Sequence, residues 1–129
     1  MMTDYTMASI YKDNYENDND NKNNKVLISS HIKVADTFFK RLKGLLGTKD
    51  LPSGKGLLII PCKQVHTFFM RYNLDLIFLD EYNTIVHMIE DIPPFRISPY
   101  IKESEKVLEL KAGTIKQYNL MEGEKLVIY

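Results

Sequence analysis

The chain is poor in the residues that usually reveal a protein's chemistry. It has one cysteine, Cys62, which excludes an internal disulfide and a cysteine-rich zinc module. Its few glycines form neither of the common phosphate-binding loops, G-x-x-x-x-G-K-[ST] and G-x-G-x-x-G. No run approaches the ~18 continuous apolar residues of a membrane span, and the N-terminus has no signal-peptide pattern. We therefore expect a cytoplasmic protein without a membrane span.

Charge of one sign is also missing, because the formal net charge is zero. Residues 1–24 hold five acidic and two basic side chains, so the remaining chain carries a net charge of +3. This excess is too small to indicate nucleic acid as a partner. No motif calls for a cofactor, so the expected partner is a small ligand or another protein.

The N-terminal part of the chain differs in composition from the rest. Residues 13–24, DNYENDNDNKNN, contain six asparagines and three aspartates, which cannot bury enough surface to offset the entropy of ordering. We therefore predict a disordered Asn/Asp-rich tail over residues 1–24. The length of 129 residues favours one domain, which we place at residues 25–129.

Short apolar runs separated by turn residues dominate the folded part. LDLIFLD and TIVHMIED, joined by a DEYN turn, predict a β-hairpin over residues 74–90. Residues 35–47, ADTFFKRLKGLLG, have the apolar spacing of a helix, which we place at about residues 36–46. We predict a compact, mostly antiparallel β-barrel or sandwich of about seven short strands, with this helix packed over one end. The other runs predicted as strands are KVLISSHIKVAD, GLLIIP, HTFFM, KVLELKAGT and EGEKLVIY.

Cys62, His66 and Met70 recur at even spacing in the segment PCKQVHTFFM. Thiolate, imidazole and thioether are ligands that copper accepts, so a copper site is one alternative. In a strand, however, residues four apart share a face but lie ~13 Å apart, too far to share an ion unless the chain bends, for which Pro61 and the pair Lys63-Gln64 are candidates. We therefore expect no metal site, and interpret the three side chains as part of the inner face of a barrel.

Asp75 lies inside the apolar run LDLIFLD, where both strand faces are apolar. We expect this strand to be covered on both sides, so its carboxylate needs hydrogen bonds or a cation. Two alternatives follow: Asp75 satisfies nearby backbone N–H groups, or it is the polar anchor of a ligand cleft. The candidate cleft residues are Arg41, His66, Thr67, Met70 and Asp75.

Two other functions remain open at this point. An enzyme would use His66 as acid and base with Asp75 orienting it, or Cys62 as a nucleophile, although no nucleophile motif is present. An accessory protein would present an exposed apolar patch, for which IPPFRISPY, residues 92–100, is the candidate. Glu109 alternates with two leucines in VLEL, so we expect it to point outward unless it pairs with a basic residue.

Several segments, in this order, match a recurring pattern: RLKGLLG, HTFFM, LDLIFLD, VLELKAG and EGEKL. Together they resemble the DUF192 family of bacterial and archaeal proteins, over residues of about 34–127. Leu46, Leu74 and Glu124 depart from the residues common in that family. The matching positions are Arg41, Gly44, Leu45, Gly56, His66, Thr67, Phe68, Phe69, Met70, Asp75, Phe78, Leu79, Asp80, Leu108, Glu109, Gly113 and Gly123.

The resemblance implies a small, mostly β fold and a bacterial or archaeal source, of which we expect a bacterial one. It implies no activity, because the family is defined as one of unknown function. The leading hypothesis is therefore a non-enzymatic domain that binds a small ligand or a partner in a polar cleft. Catalytic residues stay unassigned.

Overall fold

The computed structural model describes residues 5–13 and 25–129, which form one curled sheet with two short helices. The helices are α1 (Phe38–Lys43) and α2 (Thr114–Gln117). None of the helices in these two ranges is long and apolar enough to cross a membrane. The strands are β1 (Thr6–Asp13), β2 (Lys25–Ala35), β3 (Lys55–Ile59), β4 (Leu74–Leu79), β5 (Ile85–Ile92), β6 (Lys106–Lys111) and β7 (Leu126–Ile128).

The seven strands are ordered β5-β4-β6-β3-β2-β1-β7, and every neighbouring pair is antiparallel except β2 with β3. The sheet curls until its two edges meet through single hydrogen bonds. The Ile85 N–H donates to the Glu124 carbonyl (2.8 Å), and the Leu126 N–H donates to the Asn83 carbonyl (2.9 Å). The predicted mostly β, largely antiparallel fold of about seven strands is confirmed, in the form of a curled half-barrel.

Apolar side chains cover both faces of the centre of the sheet. All six residues of β4 are buried, as its two apolar faces predicted. A first core cluster on one face joins Ile77 of β4 and Leu108 of β6 to Ile115 of α2. A second core cluster on the other face joins Phe78 and Val107 to loop residues. The main loop contributors to the second cluster are Leu45, Leu51, Val65 and Met70.

The N-terminal prediction is wrong for residues 6–13. These residues form β1, which pairs with β2 and β7, and Ile10 within it is fully buried. Alternating apolar side chains bury one face of this strand, although the acidic composition of the neighbouring segment suggested a tail. Residues 1–4 and 14–24, which include the Asn/Asp-rich run, lie outside the described residues. The single domain over residues 25–129 stays a prediction.

Two local predictions also need correction. The helix predicted at about residues 36–46 is shorter, and none of the residues of α1 is buried. Leu45, just after the helix, makes the contact with the core instead. The predicted strand HTFFM, residues 66–70, is a turn, in which His66 makes only an isolated bridge with Ile97.

Close packing of β3 against β6 depends on Gly56. A Cβ atom at this position would lie 2.5 Å from the backbone carbonyl oxygen of Glu109 and 2.9 Å from Cδ1 of Ile32. The carbonyl oxygen of Glu109 belongs to the backbone of a paired strand, so it cannot move aside as a side chain could. Gly56 therefore sets the distance between β3 and β6, and β6 is the strand that carries Glu109.

We predict that Gly56→Ala lowers the free energy of unfolding by about 1–3 kcal/mol, because β3 must move away from β6. Urea denaturation measures this change. The control is Ser53→Ala, an exposed substitution in the preceding loop. Equal stability of the two variants would contradict the close approach described here.

Candidate functional site

A cavity of about 340 Å³ opens on the face of the second core cluster, between α1 and the segment 59–70. Its apolar wall includes Leu46, Val65 and Met70, and its polar wall includes Arg41 and Glu109. The volume is at the small end of the range of roughly 300–1,000 Å³ found for ligand sites. Three of the five predicted cleft residues, Arg41, His66 and Met70, line it.

The segment 61–70 reaches the cavity because it bends instead of running as a strand. The Met70 N–H donates to the Thr67 carbonyl (3.2 Å), which closes a turn, and Phe69 has a positive φ of 65°. Cys62, His66 and Met70 therefore all line the cavity. The expected spacing along one strand is wrong, because the chain folds back within these residues.

Glu109, in β6, is the buried acid of the cavity. Its side chain is 6% exposed, and burial raises the pKa of its carboxyl from 4.5 to about 7. Among the described residues, no N–H or O–H group donates a hydrogen bond to this carboxyl. The expectation that Glu109 points outward is wrong because the outward face of β6 is covered by the second core cluster.

The sequence did not reveal that Glu109 is buried, because alternation along a strand assigns a residue to a face without showing what covers that face. Alternation in VLEL correctly placed Glu109 opposite Leu108 and Leu110, but it could not tell whether that face meets water. The missing information was the position of β6 in the sheet: it pairs with β4, and the second core cluster covers the face that carries Glu109. Only the structure supplies that information.

Cys62 lines the cavity as a protonated thiol. Burial raises its pKa, and the charge of Glu109 raises it further, against opposing contributions from the Gln64 backbone and from Arg41. The thiol donates to the Gln64 carbonyl with an S···O distance of 3.3 Å. A nucleophilic cysteine needs a lowered pKa, so these surroundings do not activate it.

Arg41 and His66 are both engaged locally at the rim of the cavity. The Arg41 guanidinium donates to the Asp36 carbonyl (3.3 Å) and the Ile60 carbonyl (3.2 Å), which ties α1 to the end of β3. Nδ1 of His66 accepts the Phe68 N–H (3.3 Å), and the two rings stack with centroids 5.1 Å apart. His66 is exposed, which leaves Nε2 as its free ring nitrogen.

Thr67 and Asp75 lie elsewhere in the fold, because backbone groups use their polar atoms. The Thr67 hydroxyl donates to the Pro93 carbonyl (2.7 Å) and accepts the Arg96 N–H (3.0 Å). Asp75 is fully buried and faces the first core cluster. Its carboxylate accepts three backbone N–H groups, those of Asp91 (2.8 Å), Ile115 (2.9 Å) and Gly113 (3.1 Å). These contacts agree with the first alternative for Asp75, in which its carboxylate satisfies nearby backbone N–H groups.

The described residues contain no group of three or more His, Cys, Asp or Glu side chains that could share a metal ion. Cys62, His66 and Glu109 line one cavity without forming such a group. A copper site would need Met70 as well, with the thiol of Cys62 deprotonated. The protonated state favoured by burial opposes that requirement.

The family model DUF192, described as "Uncharacterized ACR", matches residues 19–128. The chain belongs to the DUF192 family. A UPF0127 protein of Thermococcus sibiricus is 29% identical over 111 residues, which cover 82% of this chain and 71% of the relative. A UPF0127 protein of Pyrococcus abyssi is 29% identical over 82% of this chain and 92% of its own length.

These relatives of the DUF192 chain are archaeal, so the expected bacterial source stays a prediction. A solved structure, described as a candidate transcription regulator of Sinorhizobium meliloti 1021, is similar in fold. It has a TM-score of 0.81 and 20% identity, over 98% of this chain and 97% of that one. At this identity the likeness establishes the fold alone. The family and the fold are therefore established, and the family carries no known activity.

We predict that Asp75→Ala lowers the free energy of unfolding by about 3 kcal/mol or more, because three buried backbone N–H groups lose their acceptor. Urea denaturation measures the loss. The matched control is Asp50→Ala, which removes an exposed carboxylate in the loop before β3. If both variants unfolded alike, the three hydrogen bonds would not be what holds β4, β5 and α2 together.

A second prediction concerns the pH dependence of stability. Well below pH 4.5 the Glu109 carboxyl is protonated in both states and costs nothing. Between pH 4.5 and about 7 the unfolded chain releases this proton while the folded chain retains it. The free energy of unfolding therefore falls as pH rises through this window, by at most about 3 kcal/mol.

Glu109→Gln removes this contribution, so the variant is expected to lose less stability than the wild type between pH values of about 4 and 8. Urea denaturation across that range measures the slope. Glu103→Gln is the control, because Glu103 is exposed. A wild-type chain whose stability rose through the window relative to Glu109→Gln would contradict the raised pKa.

Proposed function

We propose that the cavity binds a small amphipathic molecule whose hydrogen-bond donor meets the carboxyl of Glu109. The observation that carries this proposal is a buried carboxyl, inside an open cavity, that no described residue supplies with a donor. The carboxyl oxygens of Glu109 open onto the cavity, since among the described residues the only fully enclosed side-chain polar atom without a partner is Ser29 Oγ. A ligand that brought a hydrogen-bond donor would therefore meet this carboxyl at the wall of the cavity.

The remaining wall restricts the chemistry of the ligand. Leu46, Val65 and Met70 favour a short apolar body. Arg41 lines the same cavity, and only one nitrogen of its guanidinium binds the Asp36 and Ile60 carbonyls, so the others favour a hydrogen-bond acceptor on another part of the ligand. A small molecule with a donor, an acceptor and an apolar body fits these three requirements, and a primary amide on a short alkyl chain is the simplest example.

The two alternatives have weaker support. An enzyme that uses His66 with Asp75 lacks that pair, because both oxygens of Asp75 accept backbone N–H groups. A copper protein would use Cys62, His66 and Met70. All three line the cavity, but burial keeps the thiol protonated. Ligand binding requires neither a deprotonated thiol nor a rearranged Asp75, and therefore agrees best with the contacts.

Hexanamide is the probe that tests this proposal. Above the pKa of Glu109, where its carboxyl is ionised, we expect hexanamide to bind and to shift the NMR signal of the Met70 methyl group. Hexanoate lacks an N–H donor and repels the ionised Glu109, so it binds much more weakly there. Glu109→Leu removes the acceptor and is expected to weaken hexanamide binding by at least about tenfold. Titration followed by NMR measures each dissociation constant.

Glu103→Leu is the matched control, since it makes the same change at an exposed position and should leave the dissociation constant unaltered. Two results would contradict the proposal: equal binding of hexanamide and hexanoate, or hexanamide binding that survives in Glu109→Leu. If hexanamide left the NMR signal of the Met70 methyl group unchanged, that result would also contradict binding in this cavity.

A further inference from the structure

Six large apolar side chains are exposed near the mouth of the cavity, and we call them the apolar rim. They include the most exposed side chains of this kind in the described residues, Phe39 at 78% and Phe69 at 74%. Exposed apolar groups of this size, when grouped, mark an interaction surface. The apolar rim consists of Phe38, Phe39, Leu42, Phe69, Phe95 and Ile97.

Contacts place the members of the apolar rim on the two sides of one opening. On one side, Leu42 lines the cavity and follows Phe38 and Phe39 by one helical turn of α1. On the other side, Phe68 lines the cavity and Phe69 comes next in the turn.

The second side of the rim includes a neighbouring loop. Phe69 packs edge-on against Phe95, with ring centroids 6.3 Å apart. Ile97 belongs to the same side because its backbone pairs with His66, which also lines the cavity. Both sides therefore project apolar side chains around one mouth.

Basic side chains accompany the apolar rim. The segments 36–43 and 63–71, which carry α1 and the turn, hold five Lys or Arg side chains and one acidic side chain, although the whole chain is neutral. The acid, Asp36, lies 3.9 Å from Lys40. Lys43, Arg71 and Arg96 are exposed within two residues of a rim member in the chain. The face around the cavity mouth is therefore both apolar and positively charged.

We propose that the apolar rim docks onto an anionic phospholipid surface. Phenylalanine and leucine tips flanked by lysine and arginine are the combination that binds the interface of a bilayer, where the tips enter the acyl boundary and the cations meet headgroups. The charge of the face is complementary to such a surface and unsuited to a cationic partner. This proposal does not depend on a ligand in the cavity.

A lipid surface accounts for the shape of the rim better than an acidic protein does. The apolar side chains stand in two sets, on α1 and on the turn with its neighbouring loop, with a partly polar cavity between them. A folded partner would need a matching ridge for this uneven face, since protein interfaces pack closely. The fluid acyl boundary of a bilayer accepts separate apolar tips without such a match.

Cosedimentation of the full chain with vesicles tests this proposal. We expect binding to vesicles of equimolar phosphatidylcholine and phosphatidylglycerol, weaker binding to phosphatidylcholine alone, and weakening by salt. The double variant Phe39→Ser/Phe69→Ser is expected to reduce partitioning by at least about tenfold. The matched control, Tyr82→Ser/Met121→Ser, replaces two side chains outside the rim that are 66% and 68% exposed, and should bind as the wild type does.

A second pair of variants tests the charge. Lys43→Ala is expected to reduce partitioning about fivefold, whereas Lys125→Ala, an exposed lysine on β7's side of the sheet, changes it little. All of the substituted side chains are exposed, so we expect each variant to fold. Thermal unfolding checks this for each variant.

Several outcomes would overturn the proposal. These are no binding of the wild type to phosphatidylglycerol vesicles, equal binding of the rim variant and its control, or equal loss for Lys43→Ala and Lys125→Ala. If the wild type ignored vesicles but bound a polyglutamate peptide through the same residues, the face would be a contact for an acidic protein. Failure here leaves hexanamide binding unaffected, so the two proposals fail separately.

Discussion

The centre of the sheet is covered by apolar side chains on both faces, so a polar group placed there has to find its hydrogen bonds within the protein. Two carboxyl groups enter this region from neighbouring strands. Asp75 of β4 faces the first core cluster, and Glu109 of β6 faces the second and is paired in register with Leu76. Asp75 accepts three backbone N–H groups, whereas Glu109 accepts none from the described residues. The candidate site depends on this difference in hydrogen bonding between the two carboxyl groups.

The cavity that exposes Glu109 is held open by loop contacts. The Lys63 ammonium donates to the Lys102 carbonyl (2.9 Å), and the Gln64 amide donates to the Ser98 carbonyl (2.9 Å). The Ser104 hydroxyl donates to the Cys62 carbonyl (2.9 Å). These bonds fasten the segment 61–70 to the loop that follows β5, so the wall opposite α1 is formed before any ligand arrives. A preformed wall loses less conformational entropy when a ligand binds.

Sequence patterns predicted most of the fold and part of the site, and the limits have physical causes. Alternation and turn residues located the β4–β5 hairpin and the buried character of β4, because these depend on neighbours along the chain. The strand β1 was missed because the Asn/Asp-rich composition of residues 13–24 was taken to describe the whole N-terminal segment. Of the five residues predicted for a cleft, Arg41, His66 and Met70 line the cavity, whereas Thr67 and Asp75 do not. A binding role for any of the five stays a prediction. Glu109 was missed because its exposure is decided by what covers β6.

The lack of a hydrogen-bond donor at Glu109 could come from the architecture of the sheet or from the cavity beside it, and the structure distinguishes these two causes. Asp75 demonstrates that this same sheet can satisfy a buried carboxylate completely with backbone N–H groups. The missing donor at Glu109 is therefore not a general limit of the architecture. Burial raises the pKa of the Glu109 carboxyl to about 7, so this group lowers stability at neutral pH. Its place in the wall of a cavity agrees with the proposed ligand site, in which a partner from outside supplies the hydrogen bond.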